Sequence, residues 1–337
     1  MRFFAVGYFV FSFAIFGVQG LEAQVAGLAL VRHAPSINGT VDGSIQQMTA
    51  ESSTLNGGAI ITGDWLVPGT PTVRLNGHPT YAGSIDGIGG ASPSGYQIIL
   101  NGNSTLRNVI RRTDAVSLPT VGTLVSPTGT RSVNINSSSD SVGSFSTLRD
   151  LTLNGNVGNV AIPAGSYGNF TANGGSGFTL GVAGASQASV YNLQNVTLNG
   201  QSQFQVVGPV IVNVRDGLTA NGSVGSSAHA GFLTLNISSG GFTLNGGCIV
   251  YGTVNAPNGS VTVNGNSQLV GGVTCDRLTV NGNGLLRISA TVVANAAPAV
   301  SLTAPANNAF HTSPATISLA ATATNKPKGS GRVMSIF

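Results

Sequence analysis

Charge is scarce in this 337-residue sequence, because only 7% of the residues are Asp, Glu, Lys or Arg. An ordinary globular domain carries about 25% charged residues. Hydrophobic residues make up 41% of the chain, whereas disordered chains combine low hydrophobicity with high charge. The shortage of charge therefore argues against a disordered chain. It also means that Asn, Ser, Thr and Gly must supply the surface polarity, and these residues suit turns and solvated strands better than helix interiors.

Clustered positive charge is also missing. Lys and Arg total 14 and Asp and Glu total 10, which gives a net charge of only +4. Arg111 and Arg112 are the only adjacent basic pair, and Asp114 follows them closely. Binding to nucleic acid requires a basic patch that faces the phosphates. We therefore expect no nucleic-acid partner.

Cysteine is limited to Cys248 and Cys275. Two thiols allow at most one disulfide, and they are too few for a structural zinc site, which needs four ligands. The two residues lie at different distances from the nearest preceding Asn-Gly, so repetition alone does not bring them together. A disulfide between them and a pair of buried free thiols are both open alternatives. We expect no metal and no cofactor.

The N-terminus has the pattern of a secretory signal peptide. Arg2 is the only charge before Glu22, and the apolar run from Phe3 to Val18 lies between them. A membrane anchor is the alternative, but this run is shorter than the roughly 20 apolar residues that a spanning helix needs. We predict that residues 1–23 are a signal peptide. The mature chain is then secreted or held at the cell surface without a transmembrane segment.

A short motif, in which an apolar residue, any residue and a small or apolar residue precede Asn-Gly, recurs along the chain. Nine copies occur between residues 73 and 282, and weaker ones lie near Asn38 and Asn56. The last seven copies contain the asparagines Asn154, Asn173, Asn199, Asn221, Asn245, Asn264 and Asn281. Their spacing is about 20 residues, which is typical of solenoids and related arrays.

The motif predicts a strand followed by a turn, because its apolar residues alternate and Asn-Gly readily supplies left-handed turn positions. A row of hairpins would show turns about every 8–12 residues, and a propeller blade needs about 40. The spacing therefore favours an all-β, parallel, right-handed β-helix with coils of about 20 residues.

Stacked coils bring the same position of each repeat into one row. The seven asparagines are therefore expected to form a ladder of side-chain amides. A second row consists of Thr152, Thr171, Thr197, Thr219, Thr243, Thr262 and Thr279. Alternation turns these threonines outward if their apolar neighbours face the core. They either reflect the strand propensity of Thr on a solvated face or form a candidate binding face.

Composition divides the remaining chain into sections. Residues 24–112 contain sparser repeats and are interpreted as a capping section, and residues 113–148 as a Ser/Thr/Pro/Gly-rich loop or linker. Residues 149–290 form the regular solenoid. Residues 291–337 change composition: 297–310 and 313–323 resemble the first two strands of a bacterial immunoglobulin-like domain, and a tail follows. This last section predicts a truncated immunoglobulin-like fragment.

The repeats also carry a wider resemblance. Segments 69–77, 164–178 and 278–284 are similar to the N-terminal solenoid regions of large exported bacterial surface proteins. A weaker similarity is to the bactofilin-like β-helices, which form polymers but are normally cytoplasmic. The resemblance implies a surface or secreted role and offers no catalytic residues to transfer.

Acidic residues are too sparse for a carbohydrate-cleaving site, which needs two carboxylates at one cleft. The regular solenoid contains only Asp150, Asp216 and Asp276, about three coils apart and each next to an arginine. Adjacent strand residues face opposite ways, so we expect no simple ion pairs between these neighbours.

The sequence therefore favours a non-catalytic, exported structural or adhesin-like module. The alternatives are a binder of a periodic ligand, glycan or ice, through the Thr row, and a polysaccharide-degrading enzyme. The expected partners are a surface glycan or further copies of the chain.

Overall fold

The computed structural model describes residues 27–288 together with the strands Ala299–Ala304, Ala320–Asn325 and Arg332–Ile336. The chain divides into two units. One unit is Ala26–Thr291, and the other combines Met1–Val25 with Val292–Phe337. The predicted signal peptide, 1–23, lies outside the described residues.

Residues 27–288 form a parallel β-solenoid of about 11 turns with coils of about 22 residues, which confirms the predicted fold class. All of its 28 strands join one sheet. We call 27–112 the N-terminal arm, 113–130 the strap and 131–288 the C-terminal arm. The strands of the N-terminal arm are β1 (Leu28–Val31), β2 (Ser36–Ile37), β3 (Thr40–Asp42), β4 (Ser44–Gln47), β5 (Ser53–Leu55), β6 (Ile60–Ile61), β7 (Trp65–Leu66), β8 (Thr72–Gly77), β9 (Thr80–Asp86), β10 (Gln97–Gly102) and β11 (Thr105–Arg111).

The C-terminal arm contributes the larger number of strands, and no helix in the described part of the chain is long and apolar enough to cross a bilayer. Its strands are β12 (Arg131–Ile135), β13 (Leu148–Leu153), β14 (Asn159–Ala161), β15 (Gly165–Ser166), β16 (Asn169–Ala172), β17 (Gly177–Leu180), β18 (Ser189–Leu198), β19 (Gln203–Val206), β20 (Val210–Ala220), β21 (Ser223–Gly225), β22 (Leu233–Ile237), β23 (Gly241–Leu244), β24 (Ile249–Tyr251), β25 (Thr253–Val263), β26 (Gln268–Val270), β27 (Val273–Val280) and β28 (Leu285–Arg287). Two short 3-10 turns lie at Phe145–Thr147 and Ala230–Phe232.

A full coil presents three faces. In the coil that contains β20, residues 210–214 form the first face, Leu218–Ala220 the second face and β21 the third face. On the second face Leu218 and Ala220 are buried and Thr219 points outward, as strand alternation requires. The same alternation in every coil fills the centre with stacked apolar side chains, including Phe178 and Phe204, whose ring centroids are 6.3 Å apart.

The Asn-Gly corner between the second and third faces is a tight turn. The backbone N–H of the fourth residue donates to the carbonyl of the asparagine, as in Ser176 to Asn173 at 3.1 Å. The left-handed positions are the glycine and the residue after it, with φ of 51° at Gly174 and 79° at Gly175. The sequence predicts that Asn and Gly both take left-handed turn positions, but the asparagine itself is not left-handed. The turn therefore does not require asparagine at this position.

The coils do not stack in sequence order. In the second face the strands follow one another along the axis as β12, β13, β16, β18, β20, β23, β25, β27, β2, β5, β10 and β8. The last coil of the C-terminal arm therefore pairs with the first coil of the N-terminal arm. We call this junction the seam. The sequence predicts that residues 24–112 cap the regular repeats, whereas the described part of that section continues the solenoid beyond residue 287.

Oppositely charged residues flank the seam. Arg32 of β1's coil contacts Asp276 at 2.5 Å, and Arg287 contacts Asp42 at 3.3 Å. The polarity is reversed between the two pairs, so each coil supplies one acid and one base. Because opposite charges in contact attract and like charges repel, this arrangement favours the observed neighbour over stacking on an arbitrary coil.

The strap connects the far end of the N-terminal arm with the opposite end of the solenoid. Ten layer spacings separate β10 from β12, or about 48 Å, and 18 residues reach at most about 60 Å. The strap contacts coils on its way, since Gln46 Nε2 donates to the carbonyl of Asp114 at 3.2 Å and Ser238 Oγ to that of Gly122 at 3.5 Å. The linker predicted at 113–148 is thus shorter, because β12 already belongs to the solenoid.

Three strands are described in the second unit: β29 (Ala299–Ala304), β30 (Ala320–Asn325) and β31 (Arg332–Ile336). They form an antiparallel sheet in that order. The sequence predicted two strands and a tail, so β31, within that tail, is an addition. Its alternating Val-Met-Ser-Ile pattern was too short to distinguish from irregular chain.

The seam can be tested by cross-linking. Ser36 and Thr279 are neighbours across it, and paired strands lie about 4.8 Å apart, within the Cα range of a disulfide. We expect the double variant Ser36→Cys/Thr279→Cys to form an intramolecular disulfide under mild oxidation, detected by peptide mass spectrometry. The matched pair Ser36→Cys/Thr171→Cys should not form one. Cross-linking of the second pair alone would contradict the coil order.

Candidate binding face

The seven predicted threonines lie in a single row on the second face. Each is the register partner of the next, from Thr152 opposite Thr171 to Thr262 opposite Thr279. All seven are partly exposed. The seam then continues the row with Ser36 beside Thr279, and Thr54 follows on the next coil. The structure therefore extends the sequence-predicted row to nine hydroxyl groups, about 4.8 Å apart.

A second outward row beside the threonines is small and uncharged. From one coil to the next it consists of Asn169, Asn195, Gly217, Gly241 and Ser260. Charged residues appear in this row only towards its ends, as Asp150 and Arg277 on neighbouring strands. The middle of the second face is therefore a neutral surface of hydroxyl, amide and glycine backbone groups.

The predicted asparagines form a ladder at the edge of this face. Most of these side-chain amides donate to the side-chain oxygen of the preceding coil, as Asn199 does to Asn173, Asn264 to Asn245 and Asn281 to Asn264, all at 2.9 Å. The exception is Asn245, which accepts from Asn264 but makes no such bond to Asn221. The ladder extends past the sequence-predicted set to Asn136 at one end, at 2.7 Å from Asn154. Across the seam it continues from Asn281 to Asn38 and Asn56.

The ladder has irregular steps. Asn221 lies 3.5 Å from Asn199 and also donates to the backbone carbonyl of Leu198 at 3.1 Å. At the open end of the N-terminal arm, Asn76 donates to Asn101 at 2.9 Å. All these bonds point the same way along the axis, so each amide both donates and accepts where its two neighbours are in place.

A second amide ladder on the first face was missed by the sequence analysis. Asn213 donates to Asn192 at 3.0 Å, and Asn236 and Asn255 continue it with contacts of 2.9 Å. Thr274 ends it by donating its hydroxyl to Asn255 at 2.7 Å. Each of these asparagines sits between two apolar residues at a spacing of about one coil. That recurrence is visible in the sequence, but it lacks the adjacent glycine that marks the Asn-Gly motif.

Asp150 is held by hydrogen bonds at the corner between the first and second faces. Its carboxylate accepts from the backbone N–H of Asn169 at 2.9 Å, from Ser132 Oγ at 2.9 Å and from Arg149 Nε at 2.8 Å. Burial raises the pKa of Asp150, but these donors outweigh burial and lower the pKa below its ordinary value. The Asp150 carboxylate therefore stays ionised, and its hydrogen bonds stabilise the corner.

The other two solenoid carboxylates also have partners. Arg215 contacts Asp216 at 3.1 Å, and Arg277 lies 3.9 Å from Asp276. The expectation that neighbouring Arg and Asp would not pair is therefore wrong. These residues lie at corners, where the strand register shifts, and alternation does not hold there. The structure keeps the three carboxylates about three coils, or roughly 14 Å, apart.

Cys248 and Cys275 are both buried free thiols, so the disulfide alternative is not formed. Cys248 closes an Asn-Gly turn, with its N–H 3.3 Å from the carbonyl of Asn245, whereas Cys275 lies on the first face opposite Ala256. Burial raises the pKa of Cys275 to about 12 and also raises that of Cys248. Both groups therefore remain protonated and pack as small apolar residues.

Comparison with known proteins does not assign this chain to a family. No family model matches the sequence, and neither a curated protein nor a solved structure matches it significantly.

Loss of one amide from the middle of the ladder should destabilise the solenoid. Asn264→Ala leaves the donor of Asn281 and the acceptor of Asn245 without their partners, at a cost of about 1–3 kcal/mol. The control Asn258→Ala removes an exposed amide with one contact of 3.4 Å and should change stability by less than about 0.5 kcal/mol. Denaturant titration followed by circular dichroism compares the two. Equal shifts would argue against a stabilising ladder.

Proposed function

We propose that this protein is an exported, non-catalytic scaffold that presents a neutral polar face to the cell exterior. The observation that carries the proposal is the continuity of the second face. Nine hydroxyls and a parallel amide ladder run along one side of a rod of about 11 turns, or roughly 53 Å. A rod with such a face is suited to hold a regular surface in place rather than to enclose a small substrate.

Export is supported by the N-terminal sequence. A single positive charge precedes an apolar segment that is too short to span a bilayer, and small residues follow it. The resemblance of the repeats to solenoid regions of exported bacterial surface proteins supports the same assignment, as does the similarity of 297–323 to immunoglobulin-like strands.

The non-catalytic assignment rests on the occupied carboxylates. Asp150, Asp216 and Asp276 each contact an arginine, and they lie farther apart than the about 5–9.5 Å that separates the carboxyl groups of glycosidases. Glu51 is a second carboxylate near Asp276, but His33 lies between the two, 2.7 Å from Glu51 through Nδ1 and 3.7 Å from Asp276 through Nε2. Each of these carboxylates is therefore already engaged by a basic side chain.

A neutral polysaccharide is the ligand class that the second face favours. Sugar hydroxyls can pair with Thr and Asn side chains, which both donate and accept hydrogen bonds. The charged residues beside the threonine row, Asp150 and Arg277, have opposite signs and give the face no net charge to attract an acidic polymer. A chain of repeated sugar units also matches the repetition of the face. Ice remains the second ligand that a regular hydroxyl row favours.

Export can be tested with a secretion-dependent reporter. Alkaline phosphatase, which is active only after export, is fused behind residues 1–26. We expect activity in a bacterial host from the natural segment and at least a tenfold loss for the variant Phe9→Asp/Phe13→Asp, because charge in the apolar region blocks membrane insertion. Activity that is unchanged in the variant would contradict the signal peptide.

Glycan binding can be tested by co-sedimentation with microcrystalline cellulose as the neutral probe. Thr219→Lys/Thr243→Lys places two long, charged side chains on the face and should lower the bound fraction at least tenfold. The control Gln203→Lys/Gln205→Lys makes the same change at exposed positions of the third face and should leave binding unchanged. Equal loss in both variants, or no binding by the natural protein, would count against a cellulose-like ligand, and freezing hysteresis would then test ice.

A further inference from the structure

The two ends of the solenoid differ in how they are covered. At the end that begins with β12, residues 136–147 fold over the core and bury Val142 to 7% exposure. Arg131 fixes this cover by donating to the carbonyl of Ser144 at 2.7 Å and to Thr147 Oγ1 at 3.2 Å. The core beneath is closed, since Ile135 and Leu148 are 3% and 1% exposed. This end is capped by the chain itself.

The opposite end lacks such a cover among the described residues. The strands β8 and β9 pair with β10 and β11 on one side, and no described strand pairs with their other side. Leu75 occupies a core position and is 52% exposed, whereas its register partner Leu100 is 0% exposed. The turn after β9 adds Ile88, which is 92% exposed.

We propose that two copies of this chain stack through the end formed by β8 and β9 and the turn that follows, and make a symmetric end-to-end dimer. Free strand edges recruit further strands, and a flat layer of backbone donors and acceptors can pair with the same layer of a second copy turned by 180°. The exposed side chain of Leu75 then regains the apolar contact that Leu100 has inside the solenoid.

The size of this end suits a dimer. Residues 72–95 form the terminal layer and its loop, and most of them are exposed. These 24 residues fall within the about 20–30 residues per side that a standard protein interface uses. Two formal charges lie in this layer. Asp86 is already paired with Arg111 at 2.7 Å and Arg112 at 3.4 Å, which leaves the exposed Arg74 of β8 as the charge that the contact must accommodate.

The capped end limits the assembly to two copies. A filament needs two open ends. The strands β12, β14 and β15 also have a described strand partner on one side only, but residues 136–147 cover the core at that end, where Val142 is 7% exposed. End-to-end growth therefore stops at the dimer. The inference names a partner for the proposed scaffold, but it depends on neither export nor glycan binding, so its failure and theirs are separate results.

The dimer can be tested on the chain without residues 1–23. Its mass is measured by light scattering after size exclusion and by sedimentation velocity, at 1 to 100 µM protein. We expect twice the mass of the single chain, and a rod about twice as long by small-angle X-ray scattering. Leu75→Lys and Ile88→Lys should each raise the dimer dissociation constant at least tenfold. Ile88 is almost fully exposed, so its replacement should leave the fold intact by circular dichroism.

The matched control is Val182→Lys, which adds the same charge at a position that is 61% exposed on another coil. It should leave the dimer unchanged. A natural protein that stays monomeric would overturn the proposal and point to another segment of the chain as the cover. Oligomers longer than two copies, a dimer that keeps the length of one rod, or a dimer insensitive to both end variants would also overturn it.

Discussion

The structure depends on parallel backbone pairing across the seam. There the first and last coils of the solenoid segment meet as neighbours, with Ser36 beside Thr279 and Val31 beside Cys275. Without this pairing the chain would form two short solenoids, each with an additional open end. The continuous core, the nine-hydroxyl row and the extension of the amide ladder to Asn38 all follow from it.

Scarcity of charge shapes what stabilises the molecule. Repeated layers would place like charges about 4.8 Å apart, where they repel, and an outward row of charged residues would therefore oppose stacking. Amides avoid this conflict because each can donate to one neighbour and accept from the other. The few charges are instead placed where the repeat is interrupted, at corners such as Arg149–Asp150 and at the seam through Arg32 and Asp276.

Local features of the fold could be predicted from the sequence, and the order of the coils could not. The recurrence of Thr219, Asn221 and their equivalents predicts the second face, its Asn-Gly corner and the threonine row, because these features depend on residues close together in sequence. The coil order depends on which coil of the N-terminal arm pairs with residues 273–287. It also depends on the strap, which is just long enough to span the solenoid. Corner ion pairs were missed for a related reason: strand alternation fails where the register shifts, as at Asp216.

Both ends of the solenoid segment leave it at the seam, where Gly27 lies so close to Ile288 that a Cβ on the glycine would approach the Ile288 carbonyl oxygen to 2.4 Å. Tension applied through the two chain ends would therefore act on neighbouring coils instead of along the rod. The backbone hydrogen bonds at the seam would be loaded one after another, and the distant coils would carry little of the force. Mechanically, the seam is the first place where this molecule would open.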